Sequence, residues 1–99
     1  MYARVIHASV VPGKADQAIA TFRDEIVPII KEKPGYLGTA IFVDREKGDA
    51  ETVSLWETRE AAEATGPGTD YLTKVVGMLH QYLANREYRH WEVGYFDRP

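Results

Sequence analysis

His80 is the side chain of this chain best suited to moving a proton. Apolar residues Leu72, Val75, Val76, Leu79 and Leu83 recur at helical spacing and predict a helix from Thr69 or Asp70 to about Ala84. At about 100° per residue, His80 lies roughly 80° from the centre of that stripe, at the rim of the buried face. An imidazole there can reach a cavity while one nitrogen stays wet, which suits a general base; the plainer alternative is a boundary residue that only packs. Tyr71 and Tyr82 flank the stripe on the other side, where either hydroxyl could turn into a pocket or cover the helix edge. Trp56 ends a strand. It is either core with a partner for its indole N–H, or a flat wall for an aromatic ligand. His7 and His90 belong to the first and last strands, expected near the middle of a sheet and as possible neighbours. Two histidines without carboxylates make no metal pattern. Arg4 reads as a rim or interface residue paired with a carboxylate. No Ser-His-Asp set or phosphate-cradling glycine loop is present.

The elements that must position these residues follow from periodicity. The first strand runs from Tyr2 to Val11. Its even series (Tyr2, Arg4, Ile6, Ala8, Val10) and odd series (Ala3, Val5, His7, Ser9, Val11) are both largely apolar, so it needs cover on both faces. A helix from about Lys14 to Lys33 carries Ala15, Ala18, Ile19, Phe22, Ile26, Ile29 and Ile30 on one stripe. Pro28 is expected to kink it or end its regular part, and Pro34-Gly35 stops it. Strands at about 36–44 and 51–57 form a hairpin around a charged turn. Thr58 caps a short helix to about Ala64, Gly66-Pro67-Gly68 breaks it as connector or gate, and the last strand spans about Tyr88 to Phe96.

The order βαββαβ predicts a single α+β domain over residues 1–99. It is ferredoxin-like, a four-stranded antiparallel sheet with both helices on one face. The bare face, carrying Trp91 or its neighbours, would expose a large apolar patch. Pairing of two copies through the sheet face, a homodimer, relieves this. A chain of this length buries only roughly 60–65% of its unfolded surface, so added buried area matters.

Composition narrows the partners. Twelve basic residues against fifteen acidic give a net charge of −3, with no basic stripe to follow a nucleic acid. The absence of cysteine excludes disulfides and thiolate chemistry and is compatible with the cytoplasm. No signal peptide and no membrane span are expected.

Val11-Pro12-Gly13-Lys14, Pro34-Gly35-Tyr36 and Val53-Ser54-Leu55-Trp56-Glu57-Thr58 occur in this order. With that arrangement the chain resembles the antibiotic biosynthesis monooxygenase family of the dimeric α+β barrel superfamily. The resemblance implies oxidation of a small aromatic or polyketide-like substrate, polyphenolic or anthrone-type, by O2 with no cofactor and no metal. A deprotonated phenolic substrate is electron-rich enough to reduce O2 itself, and the protein supplies a dry pocket, oriented hydrogen bonds and a base. It implies that Trp56 lines the pocket; with His80 as the candidate base, Trp56 and His80 are the expected catalytic pair, and Tyr71, Phe22 and Tyr36 are candidate contacts to a small apolar or aromatic molecule. The family's oxygenases also use an Asn shortly before that Trp and a Tyr shortly after it; here those neighbourhoods hold Thr52 and Ala62. A haem-degrading branch needs an Asn on the first strand, a Trp after the third strand and a His on the last helix. The corresponding regions here hold Ile6 and His7, Thr65, and His80. A non-catalytic carrier of a small apolar ligand is the alternative from a different class, and a haem binder is a third.

Overall fold

A computed structural model describes residues 1–99. The chain runs β1 (Tyr2–Val10), α1 (Ala15–Thr21), a π-helical turn (Phe22–Ile26), α2 (Val27–Ile30), β2 (Tyr36–Asp44), β3 (Asp49–Trp56), α3 (Arg59–Glu63), α4 (Asp70–Leu79) and β4 (Leu83–Glu92). The strands form one antiparallel sheet in the order β2-β3-β1-β4. This is the ferredoxin-like α+β arrangement the element order predicts.

Register decides what each strand presents. Arg4, Ile6 and Ala8 of β1 line the layer under the helices together with Ala50, Thr52 and Ser54 of β3. The residues between them, Val5 and His7 of β1, Glu51 of β3, and Arg89 and Trp91 of β4, share the opposite face. The core proper is Ala8, Ala18, Phe22, Ile26, Ala50, Leu72, Val75, Leu79 and Leu83, all buried between helices and sheet. Apolar burial of this kind is the main force holding helices to the sheet.

The first helical segment is continuous from Ala15 to Ile30 but changes pitch. The Val27 N–H donates to the Phe22 carbonyl, five residues back, immediately before Pro28, whose ring cannot supply an N–H or follow a tight α turn. The wider turn also re-aims the side chains. Ala18, Phe22, Ile26 and Ile30 are all buried although a strict four-residue spacing overshoots an α turn by about 40° each time.

Local signals fix the other helices. Thr58 Oγ1 accepts from the Ala61 N–H at 3.1 Å and Thr69 Oγ1 from the Leu72 N–H at 3.3 Å, each satisfying a donor the first turn would leave orphaned. Gly35 has φ +81°, and a Cβ there would stand 2.6 Å from the Ala61 Cβ. Only glycine lets the turn into β2 pass α3 so closely.

The end of the chain departs from the periodicity. Helix α4 stops at Leu79, and Leu83 is the first residue of β4, opposite Val10. The last strand therefore begins five residues before the expected Tyr88 and ends at Glu92 rather than Phe96. Tertiary pairing overrides the helical pattern here: the Val11 N–H donates to the Tyr82 carbonyl at 2.9 Å, and Asn85 takes φ 55° where the β1–β4 register shifts. Strand β4 is an edge strand. His7 faces Glu87 across the ladder and His90 faces Arg4, so the two histidines are not neighbours. No helix is long and apolar enough to cross a membrane.

Candidate functional site

A cavity of about 50 Å³ lies between the helices and the sheet. Its body is apolar, made by Ile6, Phe22, Ile26, Leu72, Val75 and Leu79, and its polar groups come from Arg4, Thr39, Thr52, Ser54, Tyr71 and Arg86. A greasy chamber with a few convergent polar groups is the usual form of a small-molecule site.

Arg4 dominates the polar end. It is only 2% exposed and has no carboxylate partner, in contrast to the rim ion pair its sequence position suggests. One terminal nitrogen donates to the Ala62 carbonyl at 2.9 Å and to Thr65 Oγ1 at 3.2 Å. Its guanidinium carbon stands 5.5 Å from the Trp56 ring centroid, a cation–π contact. Nε and the second terminal nitrogen make no hydrogen bond within the protein. No fully buried side-chain polar atom goes unpaired, so those two donors open onto accessible space. Burial pulls the Arg4 pKa below the ordinary guanidinium value, opposed by the fields of Tyr71 and Tyr88. From so high a starting point it remains a cation. A buried cation without a carboxylate is costly, and here the Ala62 carbonyl, Thr65 Oγ1 and the Trp56 ring offset part of that cost.

Trp56 supports this arginine. It is fully buried, its indole N–H donates to Ser54 Oγ at 2.9 Å, and Tyr36 meets it edge-on with centroids 5.9 Å apart. Ile30, Trp56 and Ala62 form a second small core, with Tyr36 and Tyr71 packed on it. Tyr71 belongs to both regions, since it also lines the cavity. Burial is the largest influence on its phenol and pushes the pKa up to about 12; the Lys33 ammonium sits 5.3 Å over its ring. Tyr71 thus keeps its proton near neutral pH and is a hydrogen-bond donor rather than a base.

Of the residues singled out from sequence, Phe22 and Tyr71 line the cavity, while Trp56 and Tyr36 stand behind it, joined to it through Arg4. His80 is not brought to it. His80 caps α4 and is exposed, with Nδ1 2.8 Å from the Gly77 carbonyl. The Gly66-Pro67-Gly68 segment is tied down: Thr69 N–H and Oγ1 both donate to the Gly66 carbonyl.

Of the two arginines in the cavity lining, Arg4 was expected at a rim and Arg86 was not expected at all. Arg4 carried a signal, a lone charge in the otherwise apolar series Tyr2, Ile6, Ala8, Val10. Arg86 carried none, because the misplaced end of α4 left it between elements.

The sequence model for antibiotic biosynthesis monooxygenases matches residues 1–65, which include Arg4 and Trp56 but not Tyr71 or Arg86. Two uncharacterized proteins, from two strains of Mycobacterium tuberculosis, are each 37% identical over 65 residues, 66% of this chain. The aligned stretch is 28% of their length, so the chain spans well under half of these relatives. Among solved structures, the monooxygenase from the ActVA-Orf6 gene of Streptomyces coelicolor, in complex with nanaomycin D, superposes with a TM-score of 0.80 at 14% identity, covering 99% of this chain and 91% of that one. SnoaB, a cofactor-independent oxygenase from Streptomyces nogalater, gives 0.72 at 14% identity over 96% and 94%. MhuD with two manganese protoporphyrin IX per active site gives 0.77 at 16% identity over the whole of both chains. At these identities the likeness is one of fold. The family match over two thirds of the sequence carries the assignment further: this chain belongs to the antibiotic biosynthesis monooxygenase family.

Proposed function

We propose that the protein is a cofactor-independent monooxygenase, acting in the cytoplasm as a homodimer, that oxidises a small phenolic aromatic or polyketide-like molecule held in the helix–sheet cavity. The observation that carries this reading is the unpaired, buried Arg4 guanidinium at the polar end of an apolar chamber.

The chemistry follows from that arrangement. Arg4 offers two unused N–H donors to a phenolic or enolic oxygen and so favours its anion. An anthrone-type substrate then loses a proton from its methylene group, and the negative charge spreads onto the oxygen facing Arg4. This carbanion gives one electron to O2. The substrate radical and superoxide combine to a peroxide anion, which takes a proton to become a hydroperoxide; this loses the second methylene proton and hydroxide, together water. The methylene carbon ends as a carbonyl that keeps one atom of O2, and the other atom leaves as water with the equivalent of both methylene hydrogens. The carbon is oxidised and O2 is reduced. Tyr71, protonated at neutral pH, donates rather than abstracts. The apolar walls exclude water from the reactive anion. At about 50 Å³ the chamber holds little more than a few waters, against roughly 300 Å³ or more for pockets that take drug-sized ligands. Substrate binding therefore requires the helices and the sheet to part.

Oxygen uptake with an anthrone substrate tests the reading. Arg4→Gln is expected to lower kcat/KM by about 100-fold or more, the effect of losing an oxyanion donor, and Arg4→Lys to lose less. Thermal melts confirm that each variant is folded. A folded Arg4→Gln enzyme with undiminished uptake removes Arg4 from the chemistry. Ligand binding with no oxygen consumption by the wild type identifies a carrier instead. His80→Ala, run alongside, reports on the proton: an unchanged rate removes the imidazole as the base, and a large loss assigns the proton transfer to it.

A further inference from the structure

The cavity holds a second unpaired cation. Arg86 lines it from β4, and its sole hydrogen bond within the protein is from one terminal nitrogen to the Leu83 carbonyl at 3.2 Å. It has no carboxylate partner, and the cavity lining contains no Asp or Glu. A chain with a net charge of −3 has thus put two guanidiniums and no acid around one apolar chamber.

The two cations are not adjacent. Arg4 pairs with His90 across the β1–β4 ladder, and Arg86 lies four residues before His90 along β4. At about 3.4 Å per residue their backbones are separated by roughly 14 Å along the sheet. Their hydrogen bonds also draw the two guanidiniums toward opposite ends, Arg4 to Ala62 and Thr65 and Arg86 back to Leu83. Phe22, Ile26, Leu72, Val75 and Leu79 supply apolar wall to the same chamber.

We infer that the cavity selects an aromatic acid with two ionisable ends, a phenolic oxygen held by Arg4 and a carboxylate held by Arg86, across a flat apolar body. This rests on the phenol-oxidising reading for the Arg4 end and adds a specificity-determining role for Arg86. A neutral polyketide of the same shape leaves the second guanidinium unanswered and binds more weakly.

Calorimetric titration with 6-hydroxy-2-naphthoate and the matching 6-hydroxy-2-naphthamide isolates the second end. The wild type is expected to bind the acid at least tenfold more tightly than the amide, with a gap that narrows as salt is raised. Arg86→Gln is expected to erase the gap while leaving the amide affinity within about twofold, and Arg86→Lys to keep part of it. Arg86 is half-buried with one backbone hydrogen bond, so both variants should fold. Equal affinity for acid and amide, a gap that survives Arg86→Gln, or binding of neither ligand overturns the inference. These naphthalenes have no benzylic methylene, so the result does not depend on turnover. If the acid preference is present and Arg86-dependent while no anthrone consumes O2, the oxygenase reading fails and this one stands. If anthrones are oxidised without any such preference, the reverse holds.

Discussion

Arg4 imposes its charge on the residues around it, and His90 feels it most directly among the histidines. Burial is the largest influence lowering the His90 pKa, the Arg4 cation adds to it, and Glu63 opposes both. The folded protein therefore prefers neutral His90, whereas the unfolded chain takes up a proton near pH ~6.5. Below that pH the unfolded state binds more protons, and stability falls until the folded-state pKa is passed. Thermal melts between pH 7 and 5.5 are expected to show a falling midpoint whose slope is shallower in His90→Gln; identical slopes would rule His90 out as the source. Tyr71 behaves in the opposite sense, its phenol held protonated by burial. The phenolate absorbance gained up to pH about 10 is expected to match between wild type and Tyr71→Phe. A deficit in the variant would mean that Tyr71 ionises early and is open to a role as base.

At the scale of elements, α4 is one wall of the cavity and carries a glycine that its structure does not require. Gly77 sits in it without a positive φ, and a Cβ added there would meet nothing within 4 Å beyond its own helix. Gly77→Ala is expected to raise stability by about 0.5–1 kcal/mol, read as a higher denaturant midpoint at unchanged slope. Losing stability instead would mean that α4 needs its backbone freedom. Most of this architecture was legible in the sequence because its signals are local: Thr58 and Thr69 as caps, Pro34-Gly35 as a stop, the charged turn between β2 and β3. What was not legible depends on partners far along the chain. Leu83 fits a helical stripe by spacing and joins β4 because Val10 is waiting across the ladder. That one displaced boundary concealed Arg86; His80 keeps helical backbone geometry at the end of α4, and its place beside the apolar stripe leaves it exposed. The site was legible where an aromatic residue marked it, at Phe22 and Tyr71. It was illegible at Arg4, where the burial of a cation follows from the fold as a whole.

At the scale of the molecule, the sheet has an unequal pair of faces. The side away from the helices exposes Phe42 at 57% and Trp91 at 54%, on opposite edge strands, with Val5 between them on β1. Large exposed aromatics on a face with no helical cover favour the homodimer proposed above. Sedimentation velocity at micromolar concentration is expected to give the mass of two subunits, and Trp91→Glu that of one. A wild-type chain that sediments as a single subunit would leave the bare face without its expected occupant. The smallness of the chamber beneath the helices has a kinetic meaning as well. For the substrate proposed above, entry waits on the fraction of time that the wall is raised, and the measured affinity is the intrinsic one scaled down by that fraction. Association must then level off as guest concentration rises, its ceiling set by how often the protein breathes, and whatever is caught inside leaves no faster than the next breath allows.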